Sequence, residues 1–264
     1  MGNSRKIIYK SEEEMAIMRE GGKITAKVMS FLLQNIKPGT TSLELDALAE
    51  GKIRELGGTP SFKNYRPDGM RMYPKSLCVC VNDGLVHGLP NNDPFKDGDI
   101  VSVDLGVFYK GFHTDMSRSV VIDEGGNSKE NTLTKKKRFV GVGKAAFNAG
   151  ISEFREGARI GDISRAIEEA VKAGGFNVSH DLTGHGVGRD LHEEPTVYCY
   201  YENPGEKIKE GLVLAIEVIY TQKSSEILLA KDGWTFRTKD GGWGGLYEDT
   251  VALTKAGPIV LTAE

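Results

Sequence analysis

Glu217 interrupts LVLAIEVIY, where every other residue from Leu212 to Ile219 is apolar. Such a run reads as a strand covered on both faces. A carboxylate inside it must go neutral or find a partner, because burying the unpaired charge costs several kcal/mol. Glu248 sits in the same way in LYEDTVAL. Two more acids, Asp104 and Asp115, punctuate IVSVDLGVFYKGFHTDMSRSV, which folds naturally as a hairpin about Tyr109-Lys110-Gly111. A two-residue loop at 109–110 pairs Asp104 with Asp115, their Cβ atoms ~5 Å apart on one face. A three-residue loop shifts the pairing by one and leaves them neighbours. Carboxylates that close repel unless one is protonated or a cation lies between them. Alone, the Asp pair has the alternative of pointing to water, and a single buried Glu that of pairing with Lys or Arg. Four such acids without basic residues at matching positions favour a metal as the neutraliser.

His185 lies in Thr183-Gly184-His185-Gly186-Val187-Gly188, where three glycines leave the ring uncrowded and let a ligand approach. Alone it reads as a surface histidine; beside four acids it is the natural nitrogen ligand. The expected metal shell is therefore Asp104, Asp115, His185, Glu217 and Glu248. Its four negative charges balance two divalent ions, and mainly oxygen donors suit Mn, Fe or Co(II) at least as well as Zn. Two metals ~3.5–4 Å apart can share a water and clamp both ends of a displacement. His87 in NDGLVHGLP and His192 in GRDLHEEP read as catalytic partners or as idle loop residues; His113 and His180 lack comparable context.

The order of elements points to a repeat. Ser11-x-x-Glu14 and Thr41-x-x-Glu44 are capping boxes. Met15, Met18, Gly22, Ala26, Met29 and Leu33 follow the first at helical spacing, and Leu45, Leu48, Ile53 and Leu56 follow the second up to Gly57-Gly58. The strand-like runs SLCVCV, DIVSVDLGVFY and GFHTDMSRSVVI come next. The pattern then restarts with a helix over Thr132–Gly150, its Phe139, Ala146 and Phe147 inward. Residues 157–175 echo 39–57 at an offset of 118, as in Gly39/Gly157, Leu45/Ile163, Ile53/Val171 and Gly57/Gly175. VYCYY, LVLAIEVIY and LYEDTVALT close the chain. This predicts one pseudo-symmetric α+β domain over 1–264, with halves about 11–123 and 131–261 and the site between them.

A formal charge of −3, from 34 Lys+Arg against 37 Asp+Glu, argues against a nucleic-acid clamp. The run Lys135-Lys136-Lys137-Arg138 reads as the solvated start of a helix, with a phosphate or ribosomal-RNA contact the minority reading. No apolar run approaches the ~20 residues of a membrane span, and the chain's start lacks a secretory signal. Cys78, Cys80 and Cys199 form no disulfide framework, and Cys78 and Cys80 read as buried thiols rather than a zinc site. A cytoplasmic address is expected.

Together, VNDGLVHGLP, DGDIVSVDLGVFYKGFHTD, TGHGVGRDLHEEP, AIEV and YEDT resemble the methionine aminopeptidases in their short bacterial type I form, from about Ser11 to Leu261. The resemblance implies the "pita-bread" α+β fold, two pseudo-symmetric halves whose curved antiparallel strands surround a dinuclear metal site. About 25 residues separate His192 from Glu217, too few for the helical insertion of type II enzymes. The implied activity is removal of the initiator Met from nascent chains, preferring a small second residue, by attack of a bridging hydroxide on the first peptide bond. The family pattern makes Asp115 and Glu248 bridging ligands and places Asp104 on the second metal, beside the substrate's amino group. It places His185 and Glu217 on the first metal, with Glu217 also handling the proton of the attacking water. His87 would contact the scissile nitrogen and His192 the developing oxyanion. Tyr73, Trp234 and Leu191, the last in place of an aromatic, would line a pocket for the methionine thioether. A monomer without membrane attachment is expected, with ribosome contact an open addition.

The chain departs from the family at several positions. Val218 replaces the proline of I-E-P, Leu246 a glutamine, Asp249 a histidine, Val86 a cysteine and Met70 an aromatic. None removes a metal ligand. The rivals are an aminopeptidase acting before proline, which E-D-T at 248–250 favours slightly, a metal-free binding module, and a dinuclear phosphoesterase. The first usually carries an Arg near Leu246, the second lacks the ligands, and the third uses more histidines.

Overall fold

The computed structural model describes residues 6–67, 71–125 and 130–263, so Met70 lies outside the described residues. Both capping boxes form. The Ser11 hydroxyl accepts the Glu14 N–H at 3.2 Å while the Glu14 carboxylate accepts the Ser11 N–H at 2.9 Å, starting α1 (Glu12–Asn35). Thr41 and Glu44 repeat this for α2 (Ser42–Glu55). Two expected inward positions differ. Leu32 is buried rather than Leu33, and Ala49 rather than Leu48, because each continues the buried stripe one turn on from Val28 and Leu45.

The short strands β1 (Thr59–Pro60), β2 (Cys78–Val81) and β3 (Gly84–Val86) precede the hairpin of β4 (Ile100–Tyr109) and β5 (Phe112–Val121). Helices α3 (Glu130–Glu153) and α4 (Ile160–Ala173) follow, then β6 (Asn177–Val178), β7 (Thr183–Gly186) and β8 (Glu193–Tyr198). The chain ends with β9 (Val213–Thr221), β10 (Ile227–Leu229), β11 (Phe236–Thr238), β12 (Gly244–Thr254) and β13 (Gly257–Val260). The offset of 118 seen in a few residues carries α1 onto α3, α2 onto α4 and β1 onto β6, each with both its ends. Leu45, Ile53, Ile163 and Val171 are all fully buried.

Ten strands form one antiparallel sheet in the order β1-β4-β5-β12-β9-β7-β8, with β13 on β12, β2 on β4 and β6 on β9. β10, β11 and β3 make a second, small sheet. The seam between the halves is β5–β12; on one side β1 pairs with β4, and on the other β6 pairs with β9. Helix α1 packs on β4 and β5, and α3 on β9 and β12. Val101, Val103, Leu105 and Val107 alternate into the core shared with α1 and α2, and Leu214, Ile216 and Val218 into the core shared with α3 and α4. Strand periodicity therefore turns Asp104 and Glu217 to the face away from the helices.

The hairpin register corrects the expected one. Tyr109 pairs with Phe112, so the two-residue loop is Lys110-Gly111, and Asp104 faces Ser117 while Asp115 faces Gly106. Both loop residues have positive φ, 47° and 92°, as a tight turn matching the strand twist requires, and glycine meets this at the second position without strain. The slip is two residues, an even number, so both acids keep a common face.

Lys135, Lys137 and Arg138 are exposed, as expected of a solvated helix face, and Lys136 is half-buried, while three of the four cations also bond within the chain. Lys136 donates to the Gly98 carbonyl at 2.5 Å, Lys137 pairs with Asp123 at 2.5 Å, and Arg138 donates to the Gly174 carbonyl at 2.9 Å. Among the described residues, no helix is long and apolar enough to cross a membrane.

Candidate metal centre

The registers of four neighbouring strands set Asp104, Ser117, Glu248 and Glu217 in one row across the sheet, each opposite the next. Asp115, two positions from Ser117, shares their face. His185 arrives on β7 opposite Ala215, again two positions from Glu217. The repeat explains part of this convergence. The pairing of Thr59 with Phe108 recurs as Asn177 with Thr221, and Asp104 and Glu217 each stand four residues before the strand residue of that pair. Each half thus supplies a carboxylate from the equivalent place.

Asp115, His185 and Glu248 bring one ligand atom each to within 4.8 Å of the others, and His185 Nε2 lies 3.5 Å from Glu217 Oε1. His185 Nδ1 donates to the Gly186 carbonyl at 2.8 Å, leaving Nε2 bare and facing the acids. Burial pulls this imidazole down to about 4, so it stays neutral. The flanking glycines serve the strands more than a ligand. A Cβ on Gly184 would lie 2.5 Å from the Ala215 carbonyl oxygen, and one on Gly186 2.3 Å from that of Glu194.

Burial is also the main influence on the acids. It pushes Asp115 up to about 7, and drives Asp104, Glu217 and Glu248 well above the carboxylate range with help from one another's charge. Asp104 and Asp115 lie close enough that each alters the other's titration. Arg118, next along β5, faces the other way. It holds Asp249 through two bonds of 2.9 and 2.8 Å, touches the row only by donating to the main-chain carbonyls of Ser117 and Glu248 at 2.8 and 2.6 Å, and stacks 4.0 Å from the Tyr247 ring centre. Asp104 Oδ1 and Glu248 Oε1 are buried without a hydrogen-bond partner among the described residues. Unused carboxylate lone pairs beside one bare imidazole nitrogen fit a divalent cation.

The metal face opens into a cavity, and every residue singled out from the sequence lines it: Asp104, Asp115, His185, Glu217, Glu248, His87, His192, Tyr73, Leu191 and Trp234. Its apolar wall is a cluster of Phe62, Tyr73, Cys78, Leu191 and Trp234. Tyr73 meets Trp234 edge-on at 5.1 Å, and its hydroxyl is anchored on the carbonyls of Leu77 and Gly88 at 3.1 and 3.0 Å. His87, held at φ 56°, exposes its ring to the cavity and meets Phe236 edge-on at 5.9 Å. His192 lies 4.3 Å from the His185 ring, and loss of water together with its histidine neighbours keeps it neutral far below the usual range. His113 bonds Ser61 and His180 stacks on Tyr200, both away from this chemistry.

Several residues of the site escaped the sequence reading. Ser117 completes the carboxylate row; only the true register could have revealed it. Tyr65 reaches His192 Nδ1 at 2.6 Å from a loop without periodicity. Lys10 forms a buried ion pair with Glu193 at 2.5 Å, pinning the segment that carries His192. Of the departures, Val218 and Leu246 pack in the apolar core, Val86 packs there and lines the cavity, and Asp249 is matched by Arg118 and Thr262.

The comparisons agree with this geometry. Residues 16–255 match the model of metallopeptidase family M24. A methionine aminopeptidase of Clostridium perfringens is 40% identical over 257 residues, which are 97% of this chain and 98% of that protein. The crystal structure of a methionine aminopeptidase from Thermotoga maritima superposes with a TM-score of 0.90 at 35% identity, covering 98% of this chain and all of the other. A prolidase from Pyrococcus furiosus, at 22% identity and a TM-score of 0.74 over 97% of this chain and 66% of its own, shares the fold alone. The pita-bread fold, divalent-metal binding and a full-length match at this identity converge on one assignment: the chain belongs to metallopeptidase family M24 and, within it, to the short type I methionine aminopeptidases.

Proposed function

We propose that this chain, acting as a single catalytic domain, removes the N-terminal methionine from peptides and nascent proteins with two divalent cations in its carboxylate row. The observation that carries the reading is the pair of orphaned buried oxygens, Asp104 Oδ1 and Glu248 Oε1, facing a cavity with one aromatic, apolar wall. Asp115 and Glu248 would serve both ions, while His185 and Glu217 would help hold one and Asp104 the other. Divalent ions there would act as Lewis acids on the scissile carbonyl and lower the pKa of a water. Glu217 would take the proton of the attacking water. Asp104 would receive the substrate ammonium. His87 contacts the scissile nitrogen, and His192 donates to the oxygen that gains charge. Tyr73, Trp234 and Leu191 enclose the thioether, whose sulfur packs well on aromatic edges.

Nothing in this reading requires a second chain or a membrane, and we take the working form as a cytoplasmic monomer. Lys136 is half-buried on the Gly98 carbonyl but Lys137 and Arg138 stay exposed, so this run keeps a ribosome contact as an open addition. The test is cleavage of Met-Ala-Ser against Ala-Pro-Ala with Mn(II) or Co(II), together with metal analysis. Cleavage of the Met peptide and about two ions per chain are expected. Glu217→Gln should lower kcat by about 10²–10⁴-fold. Turnover of the proline peptide alone would overturn the assignment.

A further inference from the structure

Tyr65 follows β1 and lines the cavity, and main-chain bonds rather than its own side chain put it there. Its N–H donates to the Phe62 carbonyl at 2.9 Å, Asn64 N–H donates to the Tyr73 carbonyl at 2.8 Å, and Tyr73 N–H returns a bond to the Tyr65 carbonyl at 2.8 Å. Asn64 takes the left-handed conformation, φ 67°, that this turn demands. The ring so delivered lines the cavity, and its hydroxyl lies 2.6 Å from His192 Nδ1, the ring centres 5.1 Å apart.

Which group donates across that contact depends on the His192 tautomer. A phenol is the stronger acid and a bare imidazole nitrogen the stronger base, so the favoured pairing has the phenol donating and Nδ1 accepting. A neutral imidazole that accepts at Nδ1 carries its proton on Nε2. His192 is edge-on to His185 at 4.3 Å, so it stands beside the metal ligands with that N–H available.

We propose that Tyr65 is a positioning residue: its phenol holds His192 in the Nε2–H tautomer, so that the ring presents a donor to the oxygen of the scissile carbonyl. The opposite tautomer would turn a lone pair toward the same oxygen and repel it as charge develops. This inference rests on the oxyanion role given to His192 above. A wall residue of the methionine pocket would act on substrate affinity; a tautomer holder acts on turnover, and only through His192.

A double-mutant cycle on the metal-loaded enzyme separates these roles. Tyr65→Phe keeps the ring and removes the bond. It should lower kcat for Met-Ala-Ser about tenfold, with KM within about twofold. His192→Ala should lower kcat about 10²-fold or more, and adding Tyr65→Phe to it should cost nothing further. Nitrogen-15 spectra of the zinc-loaded protein should show His192 Nδ1 unprotonated and Nε2 protonated in the wild type, and a mixture of tautomers in Tyr65→Phe. Losses that multiply in the double variant, a KM effect with kcat intact, or an unchanged tautomer in Tyr65→Phe would each overturn the proposal. A wild type inert toward Met-Ala-Ser would instead overturn the proposed function, and the spectra would still decide whether Tyr65 sets the tautomer.

Discussion

Replacing Asp115 with Asn should stabilise the metal-free protein and destabilise the metal-loaded one. Burial raises the Asp115 carboxyl from 3.8 to about 7. Between those values the folded protein holds a proton that the unfolded chain has released, so metal-free stability falls as pH rises through this window. Asp104, Glu217 and Glu248, all raised, extend the same fall to higher pH. At ~1.4 kcal/mol per pH unit, Asp115 alone sets a ceiling of ~4 kcal/mol. Because Asp104 and Asp115 titrate together, about half of that is the better expectation. Asparagine keeps an oxygen for the Met116 N–H, now accepted at 3.0 Å, and gains an N–H for Asp104. For a chain of this size ~2 kcal/mol corresponds to about 4–8 °C. Metal-free Asp115→Asn should therefore melt about 4–8 °C above the wild type at pH 8, with the gap closing toward pH 4. With Mn(II) at a hundredfold excess over its Kd, the wild type gains ~2.7 kcal/mol and the order reverses, because the variant has lost a bridging ligand. Thermal melts in EDTA and in Mn(II), from pH 4 to 8.5, measure both. A metal-free variant melting at or below the wild type at pH 8 would refute the claim that these acids strain the empty fold.

Three other substitutions test separate parts of the argument. Trp234→Ala opens the wall against Tyr73 and should erode the preference for Met over Ala at the first position by about 1–3 kcal/mol in relative kcat/KM; undiminished selectivity would place the thioether elsewhere. Lys10→Met leaves Glu193 buried and unpaired, and urea unfolding should show a loss of about 3 kcal/mol, the two side chains being only 1% and 3% exposed. Arg118→Met strips Asp249 of its partner on the far side of the sheet. Since burial already favours the neutral form of Asp249, the loss should be smaller, about 2 kcal/mol, and should shrink as pH falls; a loss that grows on acidification would contradict this.

Local signals carried much of the fold. The two capping boxes formed because their donors and acceptors lie within three residues of each other, so no distant packing can move them. The carboxylates were legible for a similar reason. An acid in an apolar strand is anomalous in its own segment, and strand periodicity assigns its face without knowledge of any neighbour. The echo at 118 was faint in residues yet extended to whole helices, since a repeated architecture needs only equivalent burial, as at Leu45 and Ile163.

Other features could not be read this way. The hairpin register depended on which two residues take positive φ, and Lys110-Gly111 took that role in place of Tyr109-Lys110. The contact of Tyr65 with His192 joins positions 127 residues apart, and no segment of either contains a hint of it. The sequence by itself determined which side chains face the sheet's open side and that their charge required a cation. Tertiary structure alone decided that four strands align in the register that makes a row, and which distant side chains, such as Tyr65, join its cavity. Facing is a property of one strand's alternation, whereas register and such contacts are settled jointly by turn conformation, packing and the pairing of every strand at once.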